Sequence, residues 1–297
     1  MNLLNIAFAG LGNMGLPMAR NLKTAGHNIK GYDPALTDDD LNDESGITLC
    51  SSLEQTVKNS DLVITMLPNG SIVLDVLKRI LASDTKPSII IDCSTIDIND
   101  ARAAHSLVSD AGIGFLDAPV SGGIAGAAAG TLTSMVGGSE ALLHSVREAL
   151  EPVFNSMVYC GPGGSGQAAK ICNNMLLATA MIGTCETFNL GRKLGLDANT
   201  LFSVLSSSTG SCWSVNNYCP VPGVGPTSPA DNQYHPGFSA RMMLKDMNLT
   251  QQAAQSVSQA TPLGAQALAL YQLYVDNGGA ENDFSGIIQF LDTLERT

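Results

Sequence analysis

The chain has 297 residues, of which 44% are hydrophobic and only 14% are charged, with a formal net charge of −12. This length allows one large domain or two ordinary ones, and the charged fraction is well below the average of roughly 25%. The acidic balance and the lack of a Lys/Arg-rich run exclude nucleic acid and anionic membrane surfaces as expected partners. The low charge also predicts extensive burial, inside the fold or between subunits.

The cysteines and the apolar runs indicate the compartment. The seven cysteines are an odd number without a CxxC pair, which predicts free thiols in a reducing compartment. The first residues, MNLLNIAFAG, have no basic segment and do not read as a signal peptide. The longest uncharged apolar stretch, from Met175 to Cys185, is shorter than the roughly 20 residues that span a bilayer. The expected location is the bacterial cytoplasm, or the mitochondrial matrix for a processed eukaryotic form.

The first half of the chain alternates strand-like runs with helical stretches. NIAFAG, NIKGYD, SDLVITMLP, PSIIIDCST and GIGFLDAPVSGG read as strands, and MGLPMARNLKTAG reads as a helix. Continuous apolar runs are typical of strands buried on both faces, so the pattern predicts an α/β fold with a parallel, doubly wound Rossmann-type sheet. Several runs end at polar, Gly or Pro positions, and in such sheets ligands bind beyond the carboxyl ends of the strands. Those ends include Gly10, Asp33, Leu67-Pro68, Asp92 and Asp117.

The second half reads as all-α. One long helix is predicted from Gly164 to Leu194, and DANTLFSVLSSS, KDMNLTQQAAQSV and PLGAQALALYQLYVDNG read as further helices. A Pro/Gly-rich loop from Cys219 to Phe238 is expected to be functional or flexible. The predicted organisation is a dinucleotide-binding Rossmann domain over 1–163 and a helical substrate and oligomerisation domain over 164–297.

The segment GLGNMG places Gly10, Gly12 and Gly15 in the pattern G-x-G-x-x-G between a predicted strand and a predicted helix. Such a turn lets backbone approach a pyrophosphate at a helix N-terminus. Asp33 ends the second strand, where a carboxylate accepts hydrogen bonds from a ribose 2′-hydroxyl and repels a 2′-phosphate. Because GYDPALTDDD contains no arginine, NAD is predicted rather than NADP. The alternatives are a structural glycine turn and an Asp that initiates a turn before Pro34.

The segment GQAAKICNNMLLA places one amine and two amides on a mostly apolar helix. Lys170, Asn173 and Asn174 are three and four residues apart, so they share a helical face. Oxidation of a hydroxyl requires a general base, and a desolvated lysine can serve. The alternative is a lysine that snorkels to solvent. The four histidines, His27, His105, His144 and His235, are expected to be surface or packing residues, and their spacing predicts no metal site.

Four motifs in order resemble the β-hydroxyacid dehydrogenase family over essentially the whole chain. GLGNMGLPMARNL resembles its cofactor signature, DAPVSGG its substrate motif, and GQAAKICNNMLLA its catalytic-lysine segment. KDMNL resembles its late cofactor-side motif, and GSCWSVNNYCPVPGV is closest to the 3-hydroxyisobutyrate branch.

This resemblance implies a role for each matched residue. Lys170 is expected to be the general acid/base. The expected substrate-binding residues are Ser121, Gly122, Gly123, Asn173, Asn174 and Trp213. The expected cofactor-binding residues are Gly10, Leu11, Gly12, Asn13, Met14, Gly15, Asp33, Leu67, Pro68, Thr95, Phe238 and Lys245.

The reaction implied is the NAD-dependent oxidation of 3-hydroxyisobutyrate to methylmalonate semialdehyde, a step of valine breakdown. Reduction of tartronate semialdehyde and oxidation of another short β-hydroxyacid are the near alternatives, because one methyl group is worth only about 1–3 kcal/mol in a hydrophobic pocket. A non-catalytic oligomeric scaffold is the remote alternative. The low charge and the small residues of the later helices predict a homo-oligomer, either a dimer or a tetramer.

Overall fold

The structure is a computed structural model that describes residues 3–37, 40–41 and 46–294. Parts of the acidic segment predicted after Asp33, residues 38–39 and 42–45, lie outside these ranges. The chain divides into two compact units, Met1–Lys170 and Ile171–Thr297. The predicted domain boundary after residue 163 and this division lie close together, at the beginning of one long helix.

The first unit is built on one sheet that has nine strands in the described part of the chain. The strands are β1 (Asn5–Ala9), β2 (Asn28–Tyr32), β3 (Thr48–Leu49), β4 (Leu62–Thr65), β5 (Ile89–Asp92), β6 (Gly114–Asp117), β7 (Val120–Ser121), β8 (Leu132–Gly138) and β9 (Phe154–Gly161). Their order begins β3-β2-β1-β4-β5-β6, all parallel, which is the Rossmann arrangement. The predicted fold class is confirmed.

Strand β1 shows why the apolar runs form buried strands. Ile6 and Phe8 pack into one hydrophobic cluster with helix residues such as Met18, whereas Ala7 and Ala9 pack into a second cluster. Successive side chains of a strand point to opposite faces, so a run that is apolar at every position requires cover on both. Helices provide that cover, and the first unit has two cores on this sheet.

The end of the sheet departs from the all-parallel prediction. GIGFLDAPVSGG was predicted as one strand, but it forms two, β6 and β7, separated at Ala118 and Pro119. Both pair antiparallel with β8, while β9 pairs parallel with β8. Strands β8 and β9 were not predicted, because TLTSMVGG and FNSMVYCG are neither continuously apolar, like the central runs, nor clearly alternating.

The helices of the first unit cover the sheet. They are α1 (Gly15–Thr24), α2 (Leu53–Val57), α3 (Gly70–Leu81), α4 (Ile98–Ser109), α5 (Gly123–Ala129) and α6 (Glu140–Leu150). The N-termini of four of them have side-chain caps, as helix ends with unsatisfied N–H groups require. The capping residues are Ser52, Asn69, Asp97 and Ser139.

Helix α7 (Ser165–Lys193) is 29 residues long and matches the predicted long helix within one residue at each end. It begins in the first unit and ends in the second. The remaining helices belong to the second unit. They are α8 (Ala198–Ser207), α9 (Trp213–Asn216), α10 (Ala240–Ser256), α11 (Pro262–Tyr274) and α12 (Ile287–Thr293).

The second unit has its own core, built around Met181, Phe188, Met243 and Tyr271. The Pro/Gly-rich loop before α10 is more ordered than predicted, because it contains a 3-10 turn, Pro229–Asn232, closed by a capping box of Ser228 and Asp231. The extended pairing described beyond β9 is a single bridge, between Ser239 and Asp283.

Three further observations concern the described residues only. No helix there combines the length and apolarity needed to cross a bilayer. No cluster of three or more His, Cys, Asp or Glu side chains suits a metal ion in those ranges. The seven cysteines, all within them, are free thiols.

Candidate active site

The glycine-rich turn joins β1 to α1 and has the geometry of a phosphate-binding turn. Gly10 has a φ of +94°, and a Cβ atom there would collide with the carbonyl oxygen of Met66. A Cβ atom on Gly15 would collide with the carbonyl oxygen of Gly10. These two glycines therefore allow the turn to close against itself and against the end of β4.

Gly12 has a different role in the same turn. A Cβ atom there would meet nothing within 4 Å, and Gly12 and Asn13 are exposed. Leu11 is buried in the core, and Met14 is the N-cap residue of α1 without a side-chain cap. The open space at Gly12 and the uncapped helix N-terminus fit a dinucleotide pyrophosphate, whose charge the helix N–H groups would stabilise.

Asp33 lies directly beside this turn. Its Oδ2 accepts a hydrogen bond from the backbone N–H of Leu11 at 2.8 Å, and its Oδ1 accepts one from Ala35 at 2.9 Å. The carboxylate is therefore held at the end of β2, where an adenosine ribose binds in Rossmann folds.

An arginine lies close to the end of β2 in space, although the segment around Asp33 contains none. The guanidinium of Arg79 lies 5.9 Å from the ring centroid of Tyr32, the residue before Asp33. Glu54 Oε1 accepts hydrogen bonds from Arg79 Nε at 3.1 Å and from its Nη2 at 2.9 Å. The side chain of Arg79 is thus engaged by a carboxylate.

The carboxyl ends of β4 and β5 carry a buried hydrogen-bond network. Asp92 Oδ1 accepts bonds from the hydroxyls of Thr65 at 2.7 Å and Ser94 at 2.6 Å. The Ser94 hydroxyl oxygen in turn accepts the backbone N–H of Leu67 at 2.8 Å. Burial raises the pKa of Asp92 to about 6, and its Oδ2 has no hydrogen-bond partner. The network holds the ends of β4 and β5 together. Leu67, Pro68 and Thr95 lie in the segments that follow these two strands.

Ser121, Gly122 and Gly123 connect β7 to the N-terminus of α5. Gly122 has a φ of +135° and Gly123 a φ of +64°, conformations that L side chains rarely adopt. Ser121 pairs with Thr133 in the sheet and is partly exposed. A hydroxyl followed by consecutive N–H groups in such a turn forms a concave site for an anion.

Lys170 lies on α7, one and a half turns from its beginning, and is only 6% exposed. The first turn of α7 is anchored to the sheet. Asp117 Oδ1 accepts the N–H of Gly164 at 2.9 Å, and its Oδ2 accepts the N–H of Gln167 at 3.1 Å. The amine is therefore carried by a helix whose start is held at the carboxyl end of β6.

The two asparagines of α7 differ in their surroundings within the second unit. Asn174 is buried, and its Nδ2 donates to Asp246 Oδ2 at 2.5 Å. Asn173 is exposed and donates from its Nδ2 to Asn174 Oδ1 at 2.9 Å. These bonds orient the Asn174 amide, and they connect Asn173 and Asn174 to Asp246, the residue after Lys245 on α10.

Two other predicted residues of the second unit, Trp213 and Phe238, are linked through Asp283. Trp213 is half exposed and stacks on Tyr218 at 4.8 Å between ring centroids, and the Tyr218 hydroxyl donates to Asp283 Oδ2 at 2.9 Å. The same oxygen accepts the backbone N–H of Phe238 at 3.1 Å. Burial raises the pKa of Asp283, and several hydrogen bonds oppose that shift. Asp283 thereby brings Trp213 and Phe238 into one arrangement.

Several residues at the strand ends were not predicted to have a site role. These are Ser94, His105 and Gln167, together with Asp92 and Asp117, which were noted only as strand ends. The signal available in the sequence was the position of the two aspartates, each directly after a buried apolar run. Except for Ser94, the partners of these aspartates are 12 to 50 residues away along the chain, so the sequence pattern did not indicate them.

Comparison with known proteins places the chain in a family. The family profile described as the NAD binding domain of 6-phosphogluconate dehydrogenase matches residues 5–161. The profile described as NAD-binding of NADP-dependent 3-hydroxyisobutyrate dehydrogenase matches residues 164–291. A probable 3-hydroxyisobutyrate dehydrogenase of Mycobacterium tuberculosis is 46% identical over 286 residues, which are 96% of this chain and 97% of the relative. The chain belongs to the 3-hydroxyisobutyrate dehydrogenase family.

Two further relatives show the range of this family. A solved structure of Mycobacterium tuberculosis 3-hydroxyisobutyrate dehydrogenase with L-serine has a TM-score of 0.92 and 46% identity, covering 98% of this chain and 99% of the other. An NAD-dependent L-serine dehydrogenase of Pseudomonas aeruginosa is 42% identical, covering 98% of each chain.

Membership of the 3-hydroxyisobutyrate dehydrogenase family gives the class of activity. The protein is an NAD-dependent hydroxyacid dehydrogenase with NAD-binding domains. One matching profile names an NADP-dependent enzyme. In this chain, Asp33 holds a carboxylate beside the glycine-rich turn, where a 2′-phosphate would be repelled in a Rossmann fold.

Proposed function

We propose that this 3-hydroxyisobutyrate dehydrogenase family member oxidises 3-hydroxyisobutyrate to methylmalonate semialdehyde with NAD, in valine breakdown. The observation that carries the proposal is Lys170, a buried amine on a helix whose first turn is bonded to the carboxyl edge of a dinucleotide-binding sheet. The family and its motifs indicate the substrate class. It is a short β-hydroxyacid, with one hydroxyl and one carboxylate.

In the proposed reaction, bound NAD would supply the acceptor for the hydride that leaves the hydroxyl-bearing carbon of the substrate. The residues expected to hold the cofactor are the glycine-rich turn, Asp33, Leu67, Pro68, Thr95, Phe238 and Lys245. Lys170 Nζ takes the proton of the substrate hydroxyl and returns it in the reverse reaction. An amine removed from water exchanges protons closer to neutral pH than a solvated one.

The substrate carboxylate is assigned to Ser121, Gly122 and Gly123. The positive φ values of the two glycines support this, because turns of this kind can present consecutive backbone N–H groups to an anion. Asn174 is assigned to the substrate hydroxyl or carboxylate, with Asn173 assisting, and Trp213 to the wall of the pocket. A guanidinium in place of the Lys170 amine would stay protonated, which is why a lysine suits the role.

L-Serine is the second candidate substrate. It differs from 3-hydroxyisobutyrate in carrying an ammonium group where the other has a methyl group, and both have the β-hydroxyl and the carboxylate. The observations that favour it are the similarity to the L-serine dehydrogenase of Pseudomonas aeruginosa and to the structure with L-serine. Tartronate semialdehyde belongs to the same chemical class in the reducing direction.

A substrate panel tests the proposal. We expect kcat/KM with NAD to be highest for 3-hydroxyisobutyrate among 3-hydroxyisobutyrate, L-serine, 3-hydroxypropionate and glycerate, with tartronate semialdehyde tested in reverse. A higher value for L-serine would replace the first candidate with the second. Absence of turnover across the panel would favour the non-catalytic scaffold.

Three attributes remain predictions of the proposed function. The oligomer is expected to be a dimer or tetramer, which size-exclusion chromatography with light scattering measures. The expected location is the bacterial cytoplasm or the mitochondrial matrix. We also propose that the two domains have different roles. Residues 1–163 bind the cofactor, and residues 164–297 bind the substrate and form the oligomer.

A further inference from the structure

Gln167 is a buried amide in the first turn of α7, and its side chain forms two hydrogen bonds to one loop. Its Oε1 accepts the backbone N–H of Ile96 at 3.1 Å, and its Nε2 donates to the carbonyl oxygen of Ser94 at 2.8 Å. The residue between these two partners is Thr95, a proposed cofactor contact. Gln167 therefore connects the loop after β5 with the helix that carries Lys170.

Asp117 holds the backbone of the same turn. Its carboxylate accepts N–H groups from Gly164 and Gln167, so it caps the helix from the end of β6. A negative charge at a helix N-terminus is favourable, and buried N–H groups there require acceptors. His105 Nε2 lies 2.7 Å from Asp117 Oδ1, and the His105 ring packs edge-on against Phe115 at 4.7 Å.

Close packing leaves the first turn of α7 little freedom to shift. A Cβ atom on Gly166 would lie 2.7 Å from the carbonyl oxygen of Asp117 and 2.8 Å from its Oδ2. A Cβ atom on Gly163 would lie 2.6 Å from the His105 ring. The backbone thus approaches the sheet as closely as glycine permits. The Gln167 bonds add a specific restraint on the loop at Thr95.

We infer that Gln167 is a positioning residue that fixes the Lys170 amine relative to the loop at Thr95. This inference rests on the proposed function. Lys170 follows Gln167 by three residues on α7, so it lies less than one turn further along the helix. Two sets of hydrogen bonds hold the first turn of α7, one to the Asp117 carboxylate and one from the Gln167 amide to the loop. The next turn of the helix is therefore held in a defined position.

The test is a double-mutant cycle on the full-length enzyme with NAD, using 3-hydroxyisobutyrate and L-serine as probes. The cycle comprises the native enzyme, Gln167→Ala, Lys170→Ala and the double variant, each assayed by single-turnover hydride transfer. We expect Gln167→Ala alone to slow hydride transfer by about 10- to 100-fold, since small misplacements have effects of that size. In the Lys170→Ala background, the further loss is expected to stay within about 3-fold, because residues that act as a unit are not additive.

Two readouts separate positioning from a merely structural role. The primary deuterium isotope effect on kcat should rise in Gln167→Ala, because a misplaced base makes the chemical step limiting. The Kd for NAD should stay within about 3-fold of native, because the glycine-rich turn is untouched. Ser60→Ala is the matched control: it removes a buried hydrogen bond, from Ser60 Oγ to the Thr56 carbonyl oxygen, at the end of α2.

The outcomes distinguish the positioning role of Gln167 from the proposed function of the enzyme. Equal losses from Gln167→Ala in both backgrounds would overturn the inference and leave the proposed function intact. Near-native hydride transfer in Lys170→Ala would instead overturn the lysine mechanism itself, and with it the inference. If Gln167→Ala does not fold, Gln167→Met carries the test, because it keeps the length of the side chain and removes both hydrogen bonds. A loss that Ser60→Ala reproduces would also reject the positioning role.

Discussion

The Asp33 carboxylate bonds the backbone N–H of Leu11 at 2.8 Å, which joins the end of β2 to the glycine-rich turn. One residue therefore both supports the turn and places a carboxylate at the end of β2, the position proposed for the ribose. A 2′-phosphate buried beside this charge would be unfavourable, since like charges repel strongly where water is excluded. Arg79, whose guanidinium lies 5.9 Å from the ring centroid of Tyr32, is bonded to Glu54.

The first prediction concerns cofactor preference. We expect the native enzyme to have a higher kcat/KM with NAD than with NADP, and Asp33→Ser to narrow that ratio by removing the repulsion. Asp75→Ser, on the exposed face of α3, is the control and should leave the ratio unchanged. A native preference for NADP would show that the Asp33 assignment is wrong.

The second prediction concerns the loop at Ser121. Ser121→Ala removes the proposed donor to the substrate carboxylate, and a hydrogen bond to a charged group is worth about 1.5–3 kcal/mol. We expect kcat/KM for the β-hydroxyacid to fall by roughly 10- to 150-fold, with little change in NAD affinity. Ser145→Ala on the exposed face of α6 is the control. A fall in NAD affinity with unchanged substrate kinetics would assign the loop to the cofactor.

The third prediction concerns Lys170. General acid/base catalysis contributes about 10²- to 10⁴-fold, so Lys170→Ala should lose at least that much in hydride transfer. Lys170→Arg should not restore it, because a guanidinium does not act as a base. NAD titration of the folded variants should be close to native.

Lys193→Ala is the matched control for Lys170→Ala, because it removes an exposed amine from the last turn of the same helix. It should leave hydride transfer unchanged. Near-native rates in Lys170→Ala would assign Lys170 a packing role on α7 instead.

The fourth prediction concerns Asp92 and the pH dependence of stability. Burial raises its pKa from an ordinary value of 3.8 to about 6 in the folded protein. Between these values the folded state binds more protons than the unfolded state, so Asp92 lowers the free energy of unfolding as pH rises through this window. Above about pH 6 the full destabilising effect is present, on the order of 3 kcal/mol.

Asp92→Asn cannot ionise, and its side-chain oxygen can still accept the bonds from Thr65 and Ser94. We therefore expect the stability of the variant relative to native to improve as pH rises from 4.5 to about 6 and to level off by pH 7.5, as measured by urea denaturation at each pH. The other titrating groups cancel in this difference. A difference that does not vary with pH would show that Asp92 titrates below the window.

Much of the fold was predictable because its signals are local. The central strands are continuous apolar runs, and the glycine-rich turn identifies the first strand–helix connection. Helix α7 was predicted within one residue at each end. It contains no Pro, and the glycine in its middle, Gly183, does not end it. Strands β8 and β9 were missed because their pattern alternates weakly and their burial depends on partners elsewhere in the sheet.

The sequence by itself determined the Rossmann class, the turn at Gly10, the carboxylate at the end of β2 and the lysine on an apolar helix. Those features depend on the order of residues within a few turns or one strand. Only the tertiary structure decided that Asp117 caps α7, that Gln167 bonds both sides of Thr95, and that Asp92 is buried with one oxygen unpartnered. The bonds of Asp117 with α7 and those of Gln167 with the loop join residues that are tens of positions apart in the chain. Hydrogen bonding and burial depend on distance in space, which the one-dimensional pattern does not contain.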